Sequence, residues 1–175
     1  MKQGFFDPTR WEYPFPRWLI ITFVCLFVFF QSAVQSGFLP STISVLQDSF
    51  ALTSKQTGTI VSMYDISTLF AVTHVGHFCS GLAPRFLGLG MGLMGVSILM
   101  FALVVFLPVT LTLSASAFWL LIISQVVFGI SASPLYIVSP VYFAANLDRR
   151  TLSLSLGFFY AVSALGFKLI IFLFL

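Results

Sequence analysis

A 175-residue chain that is 59% hydrophobic, 17% aromatic and only 7% charged, with a mean hydropathy of +1.06, lies far from the roughly 25% charged usage of water-soluble domains. The 22 Phe residues are spread over the whole length, which excludes a single anchor on a soluble domain. The net charge of +3 comes from scattered residues, so the clustered basic footprint of a nucleic-acid binder is absent and nucleic acid is not expected as a partner.

Residues 1–17 are polar and carry both acids and bases, and the apolar run behind them is too long for the h-region of a cleaved signal. The segment reads as a cytoplasmic N-terminal stretch, and the first hydrophobic run stays in the membrane. A spanning helix needs about 20 apolar residues, and five stretches qualify: residues 18–39, 57–79, 87–107, 118–144 and 152–175. The fold class is therefore an all-α membrane protein of about five transmembrane helices, surrounded by membrane lipids. Residues 40–56, 80–86, 108–117 and 145–151 are expected as the connections.

All the connections are short, so the distribution of Lys and Arg sets the orientation. With the N-terminus cytoplasmic, Lys2, Arg10, Arg17, Arg85, Arg149 and Arg150 fall inside and only Lys55 outside. Trp11, Tyr13, Phe15 and Trp18 then form an aromatic belt at the inner interface, with Trp119 at the outer one. Cys25 and Cys79 lie toward the cytoplasmic side, where thiols stay reduced, and both are expected as small packing residues.

Polar groups inside spans cost about 2.5–3.5 kcal/mol each at the helix centre when ionisable, and so mark function by default. Asp65 is the clearest. It lies roughly 12 Å along a helix from Thr57, and shares a face with Gly58, Ser62, Leu69, Val72 and Gly76, whose small members suit close helix approach. Asp65 is expected to face protein or a water-filled cavity, either as a transport or gating residue or as an acid held by Tyr64 and neighbouring hydroxyls. Gln31 and Gln35, with Ser32 and Ser36 beside them, repeat every four residues along the first span. That stripe reads equally as a pathway wall or as interhelical hydrogen bonding.

His74 and His77 stand three apart near the inner end of the second span. No further ligand is near them in sequence, so no metal is expected; they read as interfacial hydrogen-bonding residues, with pH sensing as the alternative. Arg85, Arg149 and Arg150 read as topology determinants, and secondarily as parts of an inner gate. Pro134 and Pro140 interrupt the fourth span, freeing carbonyls that neighbours must satisfy. Gly157 and Gly166 in the fifth mark places for close helix contact. No phosphate loop, metal motif or nucleophilic constellation appears, so neither an enzyme nor a cofactor is expected.

Several strings resemble the organic anion transporting polypeptide family, a branch of the major facilitator superfamily. Pro16, Arg17 and Trp18 leading to Gln31 and Gly37 look like the family's approach to its first span, and residues 41–50 like the loop after it. Residues 54–65, SKQTGTIVSMYD, resemble the family's second span, where a Tyr or Phe precedes an acid. Residues 76–78 and 83–90 continue the likeness more loosely. Residues 129–136, GISASPLY, resemble the fourth span, and residues 156–167, LGFFYAVSALGF, the fifth.

The sequence also departs from that pattern. Ala144 and Ala145 stand where relatives carry an acidic pair, the connection at 108–117 is short, and after Phe167 the pattern gives way to KLIIFLFL, with Lys168 inside an apolar run. A truncated gene model or read-through past a coding boundary is expected to account for that tail.

The resemblance implies the N-terminal part of a twelve-span, plasma-membrane, sodium-independent carrier of amphipathic organic anions that works by alternating access. It further implies association with the remaining half of the carrier or with another transporter. On that reading Gln31, Gln35 and Asp65 line or gate the route. The alternatives are another major facilitator carrier, or a short membrane protein that scaffolds or inhibits a full-length transporter.

Overall fold

The structure is a computed structural model, and it describes residues 17–78, 83–106 and 114–174. Among the described residues every regular element is helical. The elements are α1 (Arg17–Ser32), a π-helical turn (Ala33–Phe38), α2 (Leu39–Ser49), α3 (Ser54–Phe78), α4 (Ala83–Phe106), α5 (Ser114–Asn146) and α6 (Arg149–Phe174). The first three run on without a break, so the described residues form five helical rods. Three described segments, Trp18–Ser49, Arg85–Val104 and Ser116–Asn146, are long and apolar enough to cross a membrane by length and composition. The 25 residues of α3 and 26 of α6 also have the length, roughly 38 Å at 1.5 Å per residue.

The first rod differs from the expected span. Residues 40–56 do not form a loop: α2 fills most of the interval, and only residues 50–53 turn the chain. Pro40 would break an uninterrupted α-helix, because it lacks an N–H and its ring strikes the carbonyl four residues back. Here it stands in the first turn of α2, where its missing donor is tolerated. The π-turn just before it is wide, and the Leu39 N–H reaches the Val34 carbonyl, five residues back.

At the far end Ala51 adopts a φ of 50°, reversing the chain. A reciprocal pair of bonds then starts α3: the Thr53 N–H donates to Gln56 Oε1 at 2.9 Å, and the Gln56 N–H donates to Thr53 Oγ1 at 3.3 Å. This Thr-x-x-Gln capping box starts the helix at Ser54, ahead of the expected residue 57. The link between α5 and α6 is shorter than expected too, at Leu147 and Asp148.

Two apolar clusters fill opposite ends of the bundle. One joins Ile21, Val24, Cys25 and Val28 of α1 to Leu87, Leu135, Tyr142, Phe143 and Phe159. The other joins Leu46, Phe50, Leu52 and Ile60 to Val104, Ala117, Leu121 and Ile122. Cys25 is a free, buried packing residue as expected; Cys79, Trp11, Tyr13 and Phe15 lie outside the described residues. Trp18 and Trp119 are exposed.

Close backbone approach fixes the helix pairs. A β-carbon at Gly129 of α5 would collide with Ser67 Oγ and stand 2.6 Å from the Tyr64 carbonyl of α3. One at Gly166 of α6 would stand 2.5 Å from the Phe29 carbonyl of α1, and one at Gly90 of α4 3.0 Å from the Ser131 carbonyl beside Pro134. Gly166 thus makes the close contact expected of it. Gly157 does not, since a β-carbon there meets nothing within 4 Å.

Candidate functional site

Between the two apolar clusters lies a layer of hydrogen-bonded polar side chains. Gln31, only 2% exposed, reaches from α1 to two other helices. Its Nε2 donates to Tyr64 Oη of α3 at 2.6 Å, and its Oε1 accepts from Tyr136 Oη of α5 at 2.6 Å. Ser32 Oγ lies 3.3 Å from Tyr136 Oη and 2.8 Å from Ser163 Oγ of α6.

Because the Tyr136 proton is committed to Gln31, the donors run in one direction: Ser163 to Ser32, Ser32 to Tyr136, Tyr136 to Gln31, and Gln31 to Tyr64. Each bond in such a chain polarises the next. The chain ends on Tyr64, whose hydroxyl also pairs with the Thr68 side chain and whose ring lies 5.9 Å from that of Phe128, tilted by 44°.

The layer is continued by bonds to backbone carbonyls. Thr68 Oγ1 donates to the Tyr64 carbonyl at 2.8 Å and approaches that of Gly129 at 3.3 Å, while Ser133 Oγ donates to the Gly129 and Thr68 carbonyls at 3.1 and 3.3 Å. Ser97 of α4 donates to the Ser124 carbonyl at 2.7 Å. These bonds answer the demand that polar groups inside a membrane find partners within the protein.

The remaining sequence candidates lie elsewhere. Gln35, one turn beyond Gln31, is half-buried, and its Oε1 is buried with no hydrogen-bond partner. Asp65 does not share the polar layer: the adjacent Tyr64 turns inward, while Asp65, Gly58, Ser62, Leu69 and Gly76 are exposed. The small residues of that stripe make no close approach within this chain, as a β-carbon at Gly58 or Gly76 meets nothing within 4 Å.

His74 is exposed and bonds within its own helix, with Nδ1 2.8 Å from the Phe70 carbonyl; His77 is exposed one turn on. The described residues hold no group of three or more His, Cys, Asp or Glu able to hold a metal. Arg85, Arg149, Arg150 and Lys168 are exposed.

Sequence reasoning placed Gln31 and Ser32 on one stripe but missed Tyr136 and Ser163 as their partners. The available signal was a tyrosine in mid-span, whose hydroxyl needs a partner when buried. Gln125, buried in α5 with an unpartnered Oε1, was also missed.

Comparison with known proteins gives consistent results. A protein of Mus musculus, "Solute carrier organic anion transporter family member 4A1", is 28% identical over 171 residues, covering 82% of this chain and 24% of the relative. "Solute carrier organic anion transporter family member 4C1" of Rattus norvegicus is 26% identical over 165 residues, 81% of this chain and 23% of its own. "Solute carrier organic anion transporter family member 1C1" of Homo sapiens is 34% identical over 84 residues, covering 46% of this chain and 12% of the relative.

The chain thus spans about a quarter of the length of the relatives that align along most of it. No solved structure gives a significant match. The model of the Organic Anion Transporter Polypeptide (OATP) family matches residues 19–115, more than half of the sequence, and the chain belongs to that family.

Proposed function

We propose that this chain forms part of one half of a sodium-independent carrier that moves amphipathic organic anions, such as conjugated steroids, across the plasma membrane by alternating access, with its N-terminus in the cytosol. Family membership supports the transport class, since relatives are named as organic anion transporters. The observation that carries the reading to particular residues is the ordered chain from Ser163 to Tyr64. It converges on the Tyr64 hydroxyl and holds it at the depth where carriers of this architecture bind substrate.

Gln31 acts in this scheme by holding Tyr64 in place rather than by touching the solute. Gln35 lines the route, offering its unpartnered Oε1. Asp65, on the opposite side of Tyr64, gates by charge at a surface that the second half of the carrier covers. Arg85, Arg149 and Arg150 hold the cytosolic ends and restrain the inner gate, and His74 and His77 remain interfacial with a secondary pH-sensing role.

The test is uptake of a radiolabelled steroid sulfate into cells expressing the protein from its native transcript, with surface abundance measured by biotinylation. The expected result is saturable uptake above mock cells, competed by a bile salt and unchanged when choline replaces sodium. Uptake equal to mock at normal surface abundance overturns the reading.

A further inference from the structure

Two ionisable side chains of opposite charge stand exposed within the helical rods. Asp65 is on α3 and Lys168 on α6, and among the described residues neither has an ion-pair partner. Charged groups inside a membrane are costly, and they pair with one another or face the protein interior. Asp65 shares the open face of α3 with Gly58 and Ser62, and Lys168 that of α6 with Gly157, Ala161 and Ala164, all of them exposed. A β-carbon at Gly58 or Gly157 meets nothing within 4 Å. Both helices thus present small residues of the kind that admits a second helix, and neither uses them within this chain.

The two charges also lie at matching depths. Ile60, early in α3, belongs to one apolar cluster and Phe159, early in α6, to the cluster at the opposite end, so the two helices run antiparallel. Tyr64 and Ser163 belong to one hydrogen-bonded layer, with Gln31 and Ser32 of α1 standing between them. That layer gives a common level, and α1 separates the two charges of a single chain. Lys168 lies roughly 7.5 Å beyond Ser163 toward the Ile60 end, and Asp65 roughly 1.5 Å to the other side of Tyr64. Side chains tilt toward the N-terminus of their own helix, which brings Lys168 back toward the layer and Asp65 toward the level of Lys168.

We propose that these faces form an interface between two copies of the chain, related by a two-fold axis along the membrane normal, in which Asp65 of each copy pairs with Lys168 of the other. Such an axis keeps every residue at its own depth and preserves the antiparallel relation of α3 and α6. It sets α3 of one copy against α6 of the other twice over, so one isologous contact pairs both acids and both bases. Lys168 comes opposite Gly58 and Ser62, and Asp65 opposite Ala161 and Ala164, where small side chains leave space for the ion pair. The pairing rests on placement in the membrane alone. A second copy takes the position that the proposed function gives to the carrier's other half, and association is read independently of uptake.

The test co-expresses full chains bearing two different tags and purifies them through one tag in a mild detergent. Unaltered copies should co-purify. Copies that all carry Asp65→Lys, or all carry Lys168→Asp, bring like charges together and should co-purify at least about tenfold less. Asp65→Lys copies mixed with Lys168→Asp copies regain both ion pairs and should associate as the unaltered chain does. Ser62→Cys on one copy and Ala164→Cys on the other should cross-link in cell membranes to a product of twice the chain mass. Unaltered copies that stay apart overturn the proposal, as do single variants that self-associate undiminished. Folded variants that fail to recover on mixing overturn it too. If a charge variant does not fold, the cross-link decides: products only of other masses overturn the proposal and assign the face to a different protein.

Discussion

Gly129 and Ser67 face each other across the α3–α5 contact with no room for a β-carbon between them. Over-packing of this kind costs about 1–3 kcal/mol, so Gly129→Ala should lower the stability of the bundle by that amount. Gly58, on the open side of α3, provides the contrast: Gly58→Ala should leave stability unchanged or raise it by about 0.5–1 kcal/mol through helix propensity. Thermal unfolding of the two variants in the same detergent gives the comparison, and equal midpoints would refute the close-approach argument.

Gln31 satisfies two tyrosine hydroxyls at once. Gln31→Leu should therefore destabilise by about 1–3 kcal/mol, the cost of stranding buried polar groups. The combination with Tyr64→Phe and Tyr136→Phe should recover part of the loss, because both stranded phenol hydroxyls are then gone and only the weaker 3.3 Å contact of Ser32 is given up. A mutant cycle that proved additive would show that the three residues do not act as a unit.

Ala51 holds a left-handed backbone that costs an L-residue roughly 1–2 kcal/mol. Ala51→Gly should stabilise the α2–α3 turn by up to about 1 kcal/mol, read as a raised unfolding midpoint. A lowered midpoint would mean that the turn is not strained.

Asp65→Asn, made in the protein expressed from its native transcript, should change organic anion uptake with surface abundance unaltered. Unchanged uptake at normal abundance would remove Asp65 from the route and leave it as an exposed acid of α3.

The helical class and the number of rods were legible in composition and run length, because a bilayer demands about 20 apolar residues for each crossing. Ends were less legible. Thr53 and Gln56 spell a capping box in the sequence, yet the hydrophobic run that defines a span begins only at Thr57, so hydropathy placed the start of α3 too late. Pro40 misled in the same manner: a proline after Gly37 reads as a helix stop, and only the π-turn before it lets the helix continue.

Within the site, four-residue spacing put Gln31 and Gln35 on one stripe, but spacing along one helix says nothing about which tyrosine comes across from another. Asp65 stays outside the polar layer for a related reason. Gly58, Ser62 and Gly76 are small enough to admit a partner helix, but α5 approaches α3 on its other face, at Tyr64, Ser67 and Thr68.

The π-turn at residues 33–38 also sets the angular relation of everything before it to everything after it. One additional residue in a turn rotates the following helix by about 100°, so the two ends of the first rod answer to different neighbours: Val24, Cys25 and Val28 to Leu87 and Phe159, Leu46 to Ile60 and Val104. A single helical wheel drawn from Trp18 to Ser49 superimposes faces that point in different directions. Removing one residue between Ala33 and Phe38 would leave the composition of the rod almost unchanged while turning Leu46 away from its cluster, making a one-residue deletion there more disruptive than most substitutions along the same helix.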